Sequence, residues 1–161
     1  MSKLWVWSDP HFGHANIIRF CNRPFANVEE MDQGLIDNHN AVVGPEDTVI
    51  CNGDFQFYKN DMGIFEKLAG KYKILIKGNH DHKVTRKMSW DAIHDVYEFV
   101  HNSKKIVMFH YPIESWNNKF HGSIHLYGHT HSEDMPAIEN RYNICVEKTN
   151  YQPVNLDAYT K

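Results

Sequence analysis

Five short apolar segments of this chain each end in residues that bind metal ions or phosphate well. In chain order they read LWVWS-DPH, TVICN-GD, KILIK-GNHD, KIVMF-H and SIHLY-GHTH. The apolar parts have the length and composition of buried β-strands, and the polar residues follow each one directly. One such ending arises easily by chance. Five in one chain restrict it to folds in which several strands end at a common edge.

The order of predicted elements indicates the fold class. The strand candidates are Lys3–Trp7, Thr48–Cys51, Tyr72–Ile76, Val96–His101, Ile106–Phe109, Ser123–Tyr127 and Tyr142–Val146. Helical spacing separates the first three, whereas the later strands follow one another more closely. This order predicts an α/β sandwich of mixed sheets flanked by helices. In such folds, ligands bind at the loops that leave the carboxyl ends of the strands.

Three helices are predicted between the strands. The clearest begins after Asn27, which forms a capping pair with Glu30, and its apolar stripe extends from Val28 to Val43. A second helix is predicted over Met62–Ala69, and a weaker third one lies within Val84–Ile93. At 161 residues, the chain is expected to form a single domain over residues 1–161.

The strand ends supply seven candidate metal ligands. They are the carboxylates of Asp9 and Asp54, the amide oxygen of Asn79, and the imidazoles of His11, His110, His129 and His131. Two ions with roughly four ligands each require eight ligands, and these residues supply them if one carboxylate bridges both ions. Mixed imidazole and oxygen ligands suit zinc, iron, manganese or nickel better than calcium or copper(I).

Composition excludes several other classes of protein. The 12 histidines are many for 161 residues, whereas the three cysteines are odd in number and far apart, which argues against disulfides and thiolate metal sites. The 17 basic and 20 acidic residues give no sign of a general nucleic-acid or membrane-surface binder. No apolar run approaches the roughly 20 residues that span a bilayer. We therefore expect a cytoplasmic protein that has no membrane partner.

The same strand ends carry a family resemblance. The blocks D-x-H, G-D, G-N-H-D, a lone His and G-H-T-H occur in this order between residues 9 and 131. This series resembles that of the calcineurin-like metallophosphoesterases, and the opening WSDPHFGHANII is similar to those of the small, uncapped phage and bacterial members. One departure is Phe55-Gln56-Phe57 after the G-D block, where many relatives have further polar residues. The resemblance implies the calcineurin-like sandwich with a binuclear metal centre at the carboxyl ends of its strands.

The resemblance also implies a role for each ligand. One ion would be held by Asp9, His11, Asp54 and His131, and the other by Asp54, Asn79, His110 and His129. Asp54 would thus be the bridge. His80 would bind no metal but would face the substrate, where it stabilises the phosphoryl oxygens or protonates the leaving alkoxide, with Asp81 orienting it. Manganese is the favoured metal, and iron, zinc and nickel are alternatives.

Substrate contacts are predicted next to this set. Asn79 and His80 would bind the phosphate, and His14 and Arg23 would contact the rest of the substrate. For His14, and for its neighbour Asn16, capping of the next short helix is the alternative role. For Arg23 and Arg19, the alternative is a solvent-facing position on that helix. His82 is assigned a structural role by default, although it directly follows the GNHD turn.

The predicted activity is hydrolysis of phosphate esters by a hydroxide that bridges the two metals. Phosphodiesters, either cyclic nucleotides or nucleic-acid ends, are favoured over monoesters because no long insertion covers the site. A phosphomonoesterase or nucleotidase of the same fold is one alternative, and a catalytically silent, metal-binding interaction scaffold is another. The expected partner is a phosphate ester, for example a nucleotide, with no stable binding of duplex nucleic acid. A monomer or a small homo-oligomer is expected.

Overall fold

Nine strands form two mixed sheets that pack face to face in the computed structural model, which describes residues 1–161. The first sheet has the strand order β4-β3-β2-β1-β9 and contains β1 (Leu4–Trp7), β2 (Thr48–Cys51), β3 (Tyr72–Ile76), β4 (Ala92–His94) and β9 (Val154–Asn155). The second has the order β5-β6-β7-β8 and contains β5 (Val96–His101), β6 (Lys104–Phe109), β7 (Ile124–Tyr127) and β8 (Arg141–Asn143). The predicted fold class is confirmed.

Most of the helices cover the outer face of the first sheet. The five α-helices are α1 (Ala15–Phe20), α2 (Val28–Val42), α3 (Ile64–Lys67), α4 (Lys83–Arg86) and α5 (Asp157–Thr160), and short 3₁₀ helices span Lys119–His121 and Val146–Lys148. The predicted cap of α2 is present, because the Asn27 side chain accepts a 2.8 Å hydrogen bond from the Glu30 backbone N–H. None of the helices has the length and apolar character that a membrane crossing requires.

Alternation along the strands divides the core into two layers. Trp5 and Trp7 of β1 pack with Met31 and Leu35 of α2, whereas Val6 lies between the sheets. The inter-sheet layer holds nine buried apolar residues. They are Val6, Ile50, Ile76, Ile106, Met108, Ile124, Leu126, Ile144 and Leu156. The two sheets therefore pack against each other through aliphatic side chains.

Several predicted boundaries were wrong, for identifiable reasons. The third helix, predicted to lie within Val84–Ile93, is limited to Lys83–Arg86, and the end of that range belongs to β4, which pairs in parallel with β3. The second covers only Ile64–Lys67, because Gly63 before it has φ +66° and Leu68 after it is extended. β8 ends at Asn143, three residues before the predicted end. The short strands β4 and β9 were missed.

Parallel pairing brings the ligand-bearing strand ends to one edge. β1, β2 and β3 run parallel in the first sheet, and β6 and β7 run parallel in the second. The Asn52 side-chain amide joins the two sheets there, since its nitrogen donates to the Phe109 carbonyl at 3.1 Å. All five strand endings predicted to carry ligands therefore meet at the same end of the sandwich.

Candidate metal centre

The predicted ligands form two adjacent clusters at this edge. The ligand atoms of Asp9, His11 and His131 lie within 4.8 Å of one another, and so do those of Asp54, His110 and His129. Asn79 adjoins the second cluster: its Oδ1 is 3.1 Å from the His110 Nε2 and 3.2 Å from the His129 Nδ1. The structure thus brings together all seven side chains.

Asp54 lies between the two clusters. Its Oδ2 is 3.4 Å from the His11 Nε2 and also 3.4 Å from the His110 Nε2. Its other oxygen, Oδ1, accepts a 2.8 Å hydrogen bond from the His80 backbone N–H, which fixes the carboxylate plane. One carboxylate oxygen is therefore equally close to an imidazole of each cluster.

The spacing of these atoms fits a metal ion. The Asp9 Oδ1 lies 3.6 Å from the His11 Nε2 and 3.7 Å from the His131 Nε2. Two ligands about 2.1 Å from one ion, at a tetrahedral angle, are separated by about 3.4 Å. The Asp9 Oδ1 and the His11 Nε2 are both buried without a hydrogen-bond partner, although buried polar atoms are normally paired. A cation between them would satisfy both atoms, so the residues present fit the metal that the resemblance implies.

Hydrogen bonds to the Nδ1 atoms of His110 and His131 leave the Nε2 atoms of these rings available to a metal ion. The His110 Nδ1 lies 2.8 Å from the Asn52 carbonyl, and the His131 Nδ1 lies 3.1 Å from the Glu147 carboxylate. In the neutral ring, each Nδ1 therefore carries the proton that it donates, and the lone pair of Nε2 is directed at the cluster. Such partners are the usual way in which proteins orient metal-binding histidines.

Asp9 is held in the same manner. Its Oδ2 accepts hydrogen bonds from the Ser8 hydroxyl at 2.5 Å, the His129 backbone N–H at 2.9 Å and the Cys145 thiol at 3.3 Å. All three contacts use one oxygen. The other oxygen, Oδ1, is consequently the one available to a cation.

The buried carboxylates of the site carry negative charge that nearby positive charge must compensate. Burial alone would raise the pKa of Asp9, but the neighbouring histidines lower it to about 2. Burial alone would lower the pKa values of His110 and His131. The Asp54 and Asp9 carboxylates raise the pKa of His110 to about 9, and contacts with the Cys21 side chain, Glu147 and Asp9 raise that of His131 to about 10. Without metal, the imidazoles hold protons because the carboxylates are ionised beside them. A divalent cation held by these residues would supply the same compensation in place of those protons.

Backbone strain is concentrated at the ligands. Five of the seven have left-handed backbone, with φ between 50° and 69°: Asp9, His11, Asp54, His129 and His131. Non-glycine residues adopt this region uncommonly, and such strain clusters at functional sites. The tight turns direct side chains from consecutive strand ends toward a single point.

Two glycines allow the strand ends to approach this closely. A Cβ atom at Gly128 would overlap the side chains of Ser8 and Asp9, and one at Gly78 would overlap the Asp54 carboxylate. Only glycine therefore fits sterically at the positions that precede the ligands in the G-N-H-D and G-H-T-H blocks.

His80 adjoins the seven candidate ligands, which together are called the metal cage below, and Asp81 makes contacts other than the predicted one. The half-buried His80 ring centroid is 5.6 Å from that of His11. The Asp81 carboxylate makes no hydrogen bond with this ring. It accepts the backbone N–H groups of Asp54 at 2.8 Å, Phe55 at 2.9 Å and Gly78 at 2.8 Å. Asp81 thus fastens the Asp54 turn to the GNHD turn and does not orient His80.

The prediction that Arg23 binds substrate is contradicted by its burial. Its side chain is 0% exposed, and it donates to the backbone carbonyls of Pro10 at 2.7 Å and Asp9 at 2.8 Å. Its guanidinium also pairs with Glu147 at 2.8 Å. Arg23 therefore supports the first ligand loop from behind. Glu147, which contacts both Arg23 and His131, was missed because a lone glutamate near the end of a predicted strand carries no sequence signal.

The remaining candidates are half-buried or exposed. His14 is the N-cap residue of α1 but makes no side-chain cap, and its Nδ1 is 3.2 Å from the His11 Nδ1. Burial and the nearby cationic side chains lower the pKa of His14 to about 4. Arg19 is exposed, with its guanidinium over the Phe20 ring at 5.4 Å, and Asn16 and His82 are also exposed.

Known proteins resemble this chain in both sequence and structure. No protein-family model matches the sequence. An uncharacterized protein of Methanocaldococcus jannaschii is 40% identical over an alignment of 171 residues, which covers 100% of this chain and 91% of the relative. The Gene 66 protein of Mycobacterium phage L5 is 29% identical over 88% of this chain and 82% of its own length. The crystal structure of a protein of unknown function from Aquifex aeolicus superimposes with a TM-score of 0.81 at 25% identity, over 99% of this chain and 98% of that one.

The fold and the paired Asp–His clusters resemble those of the calcineurin-like metallophosphoesterases, in agreement with the resemblance that the sequence carries. The chain belongs to the same family as the uncharacterized M. jannaschii protein.

Proposed function

We propose that this protein is a metal-dependent phosphoesterase that binds two divalent cations and hydrolyses phosphodiesters in preference to monoesters. The observation that carries the proposal is the position of the Asp54 Oδ2, 3.4 Å from an imidazole nitrogen of each cluster. A shared carboxylate between two complete ligand sets is what a pair of neighbouring ions requires. Asp9, His11 and His131 would hold one ion, and Asn79, His110 and His129 the other.

The cations, when bound, would polarise the phosphoryl oxygens and lower the pKa of a bound water toward neutrality. Manganese is the favoured metal, and iron, zinc or nickel would also suit the mixed oxygen and imidazole ligands. The remaining chemistry belongs to the side chains of the rim.

His80 is proposed to donate a proton to the leaving oxygen. Its backbone N–H is bonded to the Asp54 carboxylate, which holds the residue at the edge of the cage, and its ring is half-buried and belongs to neither ligand cluster. Burial lowers the pKa of the imidazole below its usual value. In hydrolysis, water adds to phosphorus, the P–O bond to the alcohol breaks, and the departing oxygen takes a proton. A proton donor at this edge accelerates the second event.

The open cleft supports the preference for diesters. Asn79 and His129 are exposed although both belong to the second cluster. A substrate phosphorus at the cage could therefore carry a substituent on either side without a clash. A monoester, which has one substituent, would use only part of this space.

Substitution of the bridging carboxylate tests the proposal. Asp54→Asn should lose turnover of bis(p-nitrophenyl) phosphate in the presence of Mn²⁺ and should bind fewer than two metal ions by elemental analysis. Asp37→Asn, at an exposed position on α2, is the matched control and should keep both properties. Undiminished turnover by the Asp54 variant would exclude the bridging role. Comparison with p-nitrophenyl phosphate measures the preference for diesters.

A second pair of variants separates metal binding from catalysis. His80→Ala should retain two bound metal ions but lose about 10²-fold to 10⁴-fold in kcat, because the leaving oxygen has no proton donor. His82→Ala removes an exposed imidazole two residues away and should retain the wild-type rate. Equal rates for the two variants would remove His80 from the mechanism. A metal-loaded wild-type protein that hydrolyses no phosphate ester would contradict the proposed function as a whole.

A further inference from the structure

A row of aromatic rings borders one side of the metal cage. Phe57 lies three residues after Asp54, and its ring is stacked on the His14 imidazole with a centroid distance of 4.0 Å and an interplanar angle of 9°. The row extends outward to Phe20, whose ring is 6.4 Å from His14 in an edge-on arrangement. It extends inward to His80, whose ring is 5.0 Å from that of Phe57.

The two phenylalanine side chains of this row are exposed to solvent, although such apolar side chains are usually buried in a protein core. Phe57 is 42% exposed and Phe20, at the end of α1, is 65% exposed, whereas Phe12 and Phe55 in the two loops next to the metal cage are at most 1% exposed. The difference is fixed by the backbone, because the Phe57 N–H donates to the Phe12 carbonyl at 2.7 Å and Phe12 forms a parallel bridge with Gln56. The two loops thus hold Phe57 outward in a defined position next to the cage.

The place of the row relative to His80 indicates which part of a substrate would contact it. In the proposed reaction, His80 marks the side on which the alcohol departs, and Phe57 is its immediate aromatic neighbour. An aromatic face contacts a planar ring with favourable geometry that a puckered aliphatic group of similar volume does not share. Every nucleobase has such a planar face.

We infer that the Phe57–His14 stack is a specificity element that selects phosphoesters whose leaving alcohol carries a planar aromatic ring, as nucleotides do. This inference rests on the proposed phosphoesterase function and names the substrate class of the same site. The ring of the alcohol packs against the part of Phe57 that His14 leaves uncovered, and Phe20 extends the apolar surface at the outer end.

A matched pair of diesters tests the inference. Benzyl methyl phosphate and cyclohexylmethyl methyl phosphate have alcohols of similar size and acidity, but only the first has a planar ring. We expect kcat/KM for the benzyl ester to be about fivefold to tenfold higher with wild-type protein. The preference should fall to about twofold or less in Phe57→Leu and persist in Phe57→Tyr, which keeps the ring.

Phe120→Leu is the matched control. Phe120 is 87% exposed and precedes the amino end of β7, whereas the metal cage lies at the carboxyl end of that strand, so its loss should leave the preference unchanged. Thermal unfolding verifies that each variant is folded. Equal kcat/KM values for the two esters in wild-type protein, or an undiminished preference in Phe57→Leu, would overturn the inference.

A binding measurement keeps this inference separate from the proposed function. Calorimetric titration of the Mn²⁺-loaded protein with benzylphosphonate and with cyclohexylmethylphosphonate should show tighter binding of the planar compound by a similar factor, and Phe57→Leu should abolish the difference. If neither ester is hydrolysed, the proposed hydrolysis fails, and the ratio of the two phosphonate affinities alone decides the inference.

Discussion

At the scale of single residues, Glu147 connects the metal cage to the rest of the molecule. Its side chain is 3% exposed, and one of its oxygens, Oε1, faces both the His131 Nδ1 at 3.1 Å and the Arg23 guanidinium at 2.8 Å. Arg23 in turn holds the carbonyls of Asp9 and Pro10. A single carboxylate thus orients one ligand directly and a second through the arginine.

We therefore predict that Glu147→Gln weakens the first metal site without removing a ligand. Loss of such outer partners lowers metal affinity by about 10-fold to 100-fold, because the imidazole is no longer held in one orientation. Competition with a chelating dye measures the affinity, and the titration is made well below the unfolding temperature because Arg23 loses its buried partner. Glu46→Gln, whose exposed carboxylate pairs with Lys71, is the control. A Glu147→Gln protein with wild-type affinity would contradict the orienting role.

Residue by residue, sequence reasoning selected the candidate ligands that the structure brings together but missed the residues that support them. Asp54 and Asn79 each follow an apolar strand within a short motif, so a local pattern reveals them. Arg23 and Glu147 are 124 positions apart in the chain, and their pairing depends on the tertiary fold alone. Asp81 was noticed because it lies in a motif, but a motif does not indicate which backbone N–H groups a carboxylate will accept.

At the scale of elements, long periodic segments were predictable and short ones were not. The apolar stripe of α2 and its Asn27 cap led to the correct helix, because 15 residues contain several repeats of the helical period. β4 and β9 have three and two residues, too few for any period, and exist because neighbouring strands offer them hydrogen bonds. The chain after α4 does not continue as a helix, because β4 forms hydrogen bonds with β3 instead.

The packing of α2 on the first sheet should make stability depend on pH. His39 of α2 is buried, with its ring 5.0 Å from that of Trp7, and burial lowers its pKa to about 4. The unfolded chain, with a histidine pKa of about 6.5, binds the proton more readily, so stability decreases as the pH falls from about 6.5 to 4. This one group accounts for a loss of about 2 kcal/mol between pH 7 and pH 5.

Replacement of His39 by glutamine isolates this contribution. The free energy of unfolding in urea should decrease between pH 7 and pH 5 by about 2 kcal/mol less in His39→Gln than in wild-type protein. Only the difference between the two pH values is compared, because the variant also changes packing against Trp7. Parallel pH dependences in the two proteins would show that His39 does not lose its proton affinity on folding.

At the scale of the whole molecule, the candidate metal centre joins the two sheets. Asp9, Asp54 and Asn79 follow strands of the first sheet, and the four other ligands come from both: His11 from the first, and His110, His129 and His131 from the second. Each proposed ion would therefore be held by residues of both sheets. Binding to the folded state alone stabilises a protein in proportion to the logarithm of the ligand concentration.

Metal addition should consequently raise the unfolding temperature. Mn²⁺ at a hundredfold excess over its Kd contributes about 2.7 kcal/mol per site, which corresponds to a rise in Tm of about 5 °C or more for a chain of this size. A chelator such as EDTA should reverse the shift, and Asp54→Asn should show a smaller one. An unchanged Tm in the wild-type protein at saturating Mn²⁺ would contradict a metal centre that spans the two sheets.

The layer of aliphatic side chains between the sheets has a consequence for ion selectivity. Close-packed interiors transmit small changes of volume, so we expect a substitution at Ile106 or Met108 to alter the spacing of the sheets by a fraction of an ångström. The distance across the cage would change with it, and the smaller and larger divalent cations differ in ionic radius by amounts of that order. Proteins of this family could thus evolve a preference for a different cation through methyl groups that never touch it, with all seven ligands kept.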